Sequence, residues 1–329
     1  MHTYNFSPLV SIVIPVYNGC NYMRSAIDSA LLQTYPNIEV LVINDGSSDD
    51  GKTEAIPLSY GNRFRYFHKE NGGCASALNV GLANMRGEYF SWLSHDDLYS
   101  PDKIQHQITI LKNLTNQNTI VYGGYEVINP QSETVAIVQP EKLAPIEKLS
   151  ISLYPLMHTL INGCTLLIPN KYFKELGIFD EKLISTHDYA LWFKFLRIAP
   201  IYFDPMILVK YRVHPQQSTH TIKTHSKECE DFWIEVLQQL TPIEMCQMEG
   251  SVAAFLEKKL ASFKTNAYDQ AYSLAKTMLG NVKTPPKKFS KIATIYKNGV
   301  ITILTVIQSF RRVGFFYTWQ RIYNRIWKN

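Results

Sequence analysis

Three short apolar runs in the first hundred residues each end in a cluster of acids, amides and hydroxyls. No other feature of the chain constrains its fold as much. The run Val10-Ser11-Ile12-Val13-Ile14-Pro15-Val16-Tyr17 stops at Asn18-Gly19. The run 38–43 stops at Asn44-Asp45-Gly46-Ser47-Ser48, and 88–93 stops at Ser94-His95-Asp96-Asp97. Short runs rich in β-branched residues and bounded by turn formers read as buried strands, and 64–68 reads as another. Between them Tyr22, Ala26, Ile27, Ala30 and Leu31 recur at helical spacing, and Asn71-Gly72-Gly73 opens a helix carrying Ala77, Leu78 and Leu82. Ser100-Pro101-Asp102 has the form of a helix start, with a hydroxyl cap, proline at the first position and an acid in the first turn. Strands alternating with helices predict an α/β fold with a doubly wound, mostly parallel sheet flanked by helices. Ligands of such sheets sit beyond the carboxyl ends of the strands. Asn18, Asp45 and the residues from Ser94 to Asp97 are therefore expected around one site.

Further along, 120–138 fits two strands with a hairpin near Asn129-Pro130. Segments 162–168 and 201–213 fit strands around a helix at 189–198, and the chain turns helical beyond Thr221. The 329 residues are 46% hydrophobic and 19% charged, enough apolar mass for a packed core. A net charge of +5 is too mild to argue for nucleic-acid binding. The five cysteines are scattered with no CxxC pair, which suits free thiols in a reducing compartment. The first eight residues lack the form of a signal peptide, and the run 9–16 is too short for a bilayer, which takes about 20 residues. The expected location is the cytoplasm. With no GxGxxG after the first strand and no Walker A sequence, dinucleotide enzymes and P-loop ATPases lose support.

Taken in order, these motifs resemble the family 2 glycosyltransferases, which have the GT-A fold. Residues 11–18 look like the family's first strand, and Val42-Ile43-Asn44-Asp45-Gly46-Ser47-Ser48-Asp49 like its second strand and nucleotide-binding loop. Asn71-Gly72-Gly73, Ala77-Leu78-Asn79 and Gly81 resemble the following helix. Leu93-Ser94-His95-Asp96-Asp97 stands in the place of the DxD motif. Phe179-Asp180, His187-Asp188-Tyr189 and Trp192 resemble the acceptor-side helix, and Tyr211-Arg212-Val213-His214-Pro215 the closing Arg-x-His-Pro segment. The match covers roughly 8–218. Ser94 stands where the DxD often begins with Asp, Leu78 where many members have Arg, and His187 where the base motif often has Glu. The resemblance implies a GT-A catalytic domain over 1–220, followed by a helical C-terminal region over 221–329.

The resemblance also assigns roles. Pro15, Val16, Tyr17 and Asn18 would line the base pocket, and Asp45 would accept hydrogen bonds from base or ribose. Gly72, Gly73, Ser94, His95, Asp96 and Arg212 would contact the donor. A divalent metal, Mn²⁺ or Mg²⁺, would sit on Asp96 and His214. Carboxylates are natural ligands for a hard cation that offsets charge on a diphosphate leaving group. Asp188 would be the general base that takes the proton of an acceptor hydroxyl in an inverting transfer. Each residue also has a plainer reading: turn former for Asp45, turn or cap for Asp96 and Asp97, satisfied histidine for His214, helix N-cap for Asp188. The implied donor is a nucleotide-sugar, with UDP first, and the acceptor a saccharide or lipid-linked molecule of cell-surface polysaccharide synthesis. Two alternatives stand: a nucleotide-sugar binder without catalysis, and a metal-dependent phosphodiesterase or nucleotidyltransferase.

From Lys283 to Asn329 no residue is acidic, while basic residues alternate with aromatic ones. Trp319, Ile322, Tyr323, Ile326 and Trp327 fall on one helical face. Such a tail suits peripheral contact with an anionic membrane surface, at the inner face of the cell membrane, or packing on the domain.

Overall fold

In the computed structural model, which describes residues 6–217 and 221–283, the first apolar run forms β1 (Val10–Val16), all seven residues buried. β2 (Ile38–Asp45) and β4 (Tyr89–Trp92) flank it, both parallel. β3 (Arg65–Lys69) adds outside β2, and the two-residue β9 (Ile168–Pro169) adds antiparallel outside β4, giving the order β3-β2-β1-β4-β9. Helices α1 (Met23–Leu31), α2 (Lys52–Leu58) and α3 (Gly73–Asn84) make the crossovers. A parallel strand covered on both faces has no wet side, so β1 is apolar throughout rather than alternating. Gly81 lets α3 lie on β1, since a methyl there would come within 2.4 Å of Val13.

Beyond β5 (Leu98–Tyr99), helix α4 (Lys103–Asn113) begins close to where the sequence places it. Ser100 does not cap it with its hydroxyl. Asp102 is the N-cap residue, with no side-chain cap bond, and Ser100 instead accepts from the Lys103 amide at 3.1 Å through its carbonyl. β6 (Ile120–Gly123) pairs in parallel with β10 (Ile201–Asp204). β7 (Tyr125–Ile128), β8 (Thr134–Val138) and β11 (Val209–Arg212) join β5 in the order β5-β11-β7-β8. The expected hairpin is the β7–β8 turn, closed by the Asn129 amide on the Glu133 carbonyl at 2.9 Å.

Segment 162–168 departs from the strand expected of it. Gly163–Thr165 is a 3₁₀ turn, and only Ile168–Pro169 is strand. Asn162 accounts for this: its Oδ1 accepts from the Cys164 amide at 2.9 Å, a local bond that competes with a ladder. Helices α5 (Ile146–Leu149), α6 (Tyr154–Met157), α7 (Lys171–Leu176) and α8 (His187–Leu196) complete this part. The division into two compact units falls between His225 and Ser226. In the second, helices His225–Gln239, Pro242–Glu249, Val252–Asn266 and Asp269–Lys283 follow one another. Thr241 and Glu244 form a reciprocal capping box at the start of Pro242–Glu249. Among the described residues no helix is long and apolar enough to cross a membrane. The basic aromatic tail, from 284 onward, lies outside the described residues.

One buried charge makes a measurable demand on the fold. Lys103 is fully buried, with Nζ donating to Ser91 Oγ and Gln107 Oε1, both at 3.0 Å, and lying 4.3 Å from the Tyr99 ring centroid. Burial pulls its pKa down to about 7, against the opposing charges of Cys164 and Asp204. The unfolded chain holds that proton to about pH 10.4. Between those values the unfolded state binds more protons, so stability rises with pH across the window. Urea unfolding is expected to give roughly 2 kcal/mol more stability from this group at pH 9 than at pH 7. Lys103→Met should flatten that difference; a slope unchanged in the variant would mean the proton is lost elsewhere.

Candidate functional site

The loops after β1 and β2 are tied together before any ligand arrives. Asn18 takes a left-handed conformation (φ 48), which asparagine tolerates. Its amide donates to Ser47 Oγ at 2.9 Å and its Oδ1 accepts from the Ser48 amide at 2.8 Å. Tyr17, 46% exposed, brings its hydroxyl to 3.4 Å from Ser48 Oγ. Pro15 and Val16 are buried at the end of β1. The result is a fixed shelf with one exposed aromatic ring.

Asp45 closes β2 and is 2% exposed. Its Oδ1 accepts from Lys69 Nζ at 2.7 Å and the Gly72 amide at 3.0 Å, and its Oδ2 from the Gly73 amide at 2.7 Å. A carboxylate offers about four lone-pair sites, so three are engaged and one is left for a ligand. Asp45 thus fixes the start of α3, with Gly72 and Gly73 exposed beside it. Lys69 is a site residue that sequence reasoning missed. Its only signal is its place two residues before Asn71-Gly72-Gly73.

The loop after β4 carries Ser94, His95, Asp96 and Asp97. Asp96 Oδ2 and His214 Nε2 lie 3.0 Å apart, with both side chains largely buried. Burial would raise the Asp96 carboxyl, but the His214 hydrogen bond and the charges of His95 and His214 outweigh it and hold the group below its ordinary value. Burial lowers His95, whose ring packs on Gly19. Asp97 is 1% exposed, and burial together with the Asp96 charge drives it well above the usual carboxylate range. Its Oδ1 accepts from the Arg212 amide at 2.8 Å, so it braces the loop. Ser94 bonds to Cys164, its amide donating to Sγ at 3.4 Å.

Arg212, expected at the donor, is held by protein groups on two loops. It is 1% exposed. Its Nε donates to the Asp96 carbonyl at 2.8 Å, and its Nη1 to the carbonyls of Asn129 and Pro130 and to Ser132 Oγ, at 3.0, 3.3 and 2.9 Å. The guanidinium lies 4.5 Å from the Tyr22 ring centroid, and His214 packs on the same ring at 5.1 Å. Arg212 is a strut between the 94–97 loop and the β7–β8 turn.

Asp188 lies in the first turn of α8, two residues after the N-cap residue Thr186, and its Oδ1 accepts from the adjacent Tyr189 amide at 2.8 Å. It is therefore not the N-cap. Burial raises its carboxyl above the ordinary value, against the charge of His187 and the amide hydrogen bonds. Cys74, in the first turn of α3, has its thiol pushed up first by burial and then by the charges of Asp188, Asp45 and Asp96.

Among the described residues no group of three or more His, Cys, Asp and Glu side chains could hold a metal ion by itself. The Asp96–His214 pair nonetheless fits a substrate-completed site. Neighbouring octahedral ligands at about 2.1 Å stand about 3 Å apart, and small divalent cations are held by one or two protein groups plus phosphates and water. His214 Nδ1 is buried with no partner among the described residues, leaving Nε2 as the nitrogen aimed at the acid.

A mostly parallel α/β sheet with acids at its carboxyl edge places them where such sheets bind ligands. Residues 11–175 match the family described as Glycosyl transferase family 2, and the chain belongs to that family. It is 53% identical over 324 residues to an uncharacterized glycosyltransferase of Rickettsia typhi, covering 98% of each chain. It is 54% identical over 301 residues to one of Rickettsia bellii, covering 92% of this chain but only 44% of that protein's length. The fold is similar to Staphylococcus aureus TarS 1–349 in complex with UDP-GlcNAc (TM-score 0.59, 15% identity, 84% of this chain and 91% of that one). It is equally similar to the mannosyltransferase PcManGT of Pyrobaculum calidifontis in complex with GDP-Man and Mn²⁺ (TM-score 0.59, 15% identity, 99% and 89%). The chain has the GT-A fold.

Proposed function

We propose that this glycosyltransferase is metal-dependent and inverting, and moves a hexosyl or related sugar from a UDP-sugar to the hydroxyl of a saccharide or lipid-linked acceptor in cell-surface polysaccharide synthesis. The observation that carries the reading is the Asp96–His214 pair, 3.0 Å apart on the loop just past β4. Pro15, Val16, Tyr17 and Asn18 form the base shelf, and Asp45 offers its remaining lone pair to the nucleoside. Gly72 and Gly73 leave room for close approach to the donor, and Ser94 and His95 border its phosphates. Asp96 and His214 hold the divalent ion, which when bound offsets the charge that grows on the diphosphate leaving group. Asp188 takes the proton from the acceptor hydroxyl as that oxygen attacks the anomeric carbon from the face opposite the diphosphate. Its raised pKa brings it nearer to the pH at which it works. Arg212 serves the donor through the backbone of Asp96.

Calorimetric titration with UDP, GDP and dTDP, with and without Mn²⁺, tests the donor half. One nucleotide should bind tightly only with Mn²⁺, and Asp96→Asn should weaken that binding at least tenfold, a change of about 1.4 kcal/mol. Binding indifferent to both Mn²⁺ and the substitution would remove the metal from the mechanism.

A further inference from the structure

The turn at 162–165 touches both halves of the site. Gly163 lies against the Trp92 indole: a methyl added there would stand 2.9 Å from both Cε3 and Cζ3, and 3.9 Å from Asp188 Oδ2. The next residue, Cys164, is 3% exposed and faces the other way. Its Sγ accepts from the Ser94 amide at 3.4 Å and donates to Ser94 Oγ at 3.5 Å, at the head of the loop that carries Asp96. One residue therefore bears on the acid of α8, and its neighbour on the loop after β4.

The turn is also held in place. Tyr189 of α8 donates its hydroxyl to the Ile161 carbonyl at 3.2 Å, and Gln107 of α4 donates to the Thr165 carbonyl at 2.8 Å. Internally, the Asn162 carbonyl accepts from the Thr165 amide at 3.0 Å and from its hydroxyl at 2.7 Å. A turn fastened to two helices and capped within itself transmits displacement rather than absorbing it.

We propose that the Gly163-Cys164 turn sets the distance between Asp188 and the 94–97 loop, which makes both residues positioning residues for sugar transfer. This rests on the reading of Asp188 as the base. A base must stand within hydrogen-bond reach of the attacking oxygen while the leaving group stays on the opposite side. A misplacement of about 1 Å lowers such a step on the order of 10²-fold. Glycine is needed at 163 because the indole it meets is rigid, so an added methyl moves the turn or the ring. Cysteine at 164 supplies both a donor and an acceptor that join the turn to Ser94.

The test uses the full chain with Gly163→Ala, Cys164→Val and Cys164→Ser. In a crystal structure of Gly163→Ala, the Asp188–Asp96 separation should change by about 1 Å, while the Asp96–His214 and Asp45–Gly73 contacts stay as they are. With UDP-GlcNAc, UDP-glucose and UDP-galactose as probes, Mn²⁺ present and water as acceptor, kcat for UDP release should fall at least tenfold in Gly163→Ala and Cys164→Val, with donor KM within about threefold. Cys164→Ser, which keeps a donor and an acceptor, should recover most of the loss. Thermal melting of each variant separates misplacement from unfolding. An unchanged carboxylate separation, or a kcat loss matched by equal loss in Cys164→Ser, overturns the proposal. Full activity in Asp188→Asn would instead overturn the reading of Asp188 and leave the geometric result standing.

Discussion

Asp188→Asn should lower the rate of sugar transfer on the order of 10²–10⁴-fold and leave nucleotide binding within about twofold. The amide is nearly the same size and can still accept from the Tyr189 amide, so helix α8 has no reason to unwind. What it cannot do is take a proton. The carboxylate must be ionised to act, and burial places its pKa above the ordinary aspartate value of about 3.9, so the wild-type rate should fall with acidification through a limb above that value. The variant should lose the limb along with the rate. A pH–rate profile of UDP release, measured on both proteins, checks the two together. A variant that keeps the limb would assign it to another group. Nucleotide affinity that falls with the rate would return Asp188 to a donor contact.

Arg212→Met is expected to have the largest effect on stability. The substitution keeps an aliphatic stem of similar length but strips the donors from three carbonyls, those of Asp96, Asn129 and Pro130, and from Ser132 Oγ. Hydrogen bonds to a charged group contribute about 1.5–3 kcal/mol each, so a loss on the order of 3–5 kcal/mol is expected in urea unfolding. The same variant should weaken Mn²⁺-dependent nucleotide binding, because the strut holding Asp96 is gone. Lysine at 212 should recover little, since one ammonium cannot reproduce a planar fork aimed at two loops. Lost binding with unchanged stability would show that the guanidinium meets the donor directly, as the sequence alone suggested.

The sequence was most informative where chemistry and strand ends coincide. β1, β2 and β4 are legible because buried parallel strands leave continuous apolar runs, and the polar residues just past them fall where such sheets bind ligands. Segment 162–168 was not legible. Leu166, Leu167 and Ile168 suggest a strand, but the Asn162 side chain bonds its own backbone, and that competition does not show in apolar periodicity. The setting of Arg212 was not legible either: only the fold reveals the three backbone carbonyls around it. Lys103 looks like an exposed residue at a helix start, yet Ser91, Gln107 and Tyr99, brought from elsewhere, enclose it. Cys164 carried no signal, and Lys69 only its place before Asn71-Gly72-Gly73, because their partners, Ser94 and Asp45, lie 70 and 24 residues away.

The five-stranded sheet must end somewhere, and each end discourages the arrival of another strand. At one border the two-residue β9 is buried and already covered, since the Leu167 amide beside it donates to the Val121 carbonyl of β6 at 2.9 Å and the Val121 amide returns the bond at 3.1 Å. At the other, β3 carries Arg65, His68 and Lys69 within five residues. Arg65 pairs with Glu39 and Lys69 with Asp45, and an edge strand built of charged side chains gives a second copy no apolar ladder to join. An open apolar ladder would recruit neighbouring chains into a growing sheet. Lys69, which holds Asp45 at the start of α3, therefore also belongs to a border that discourages aggregation.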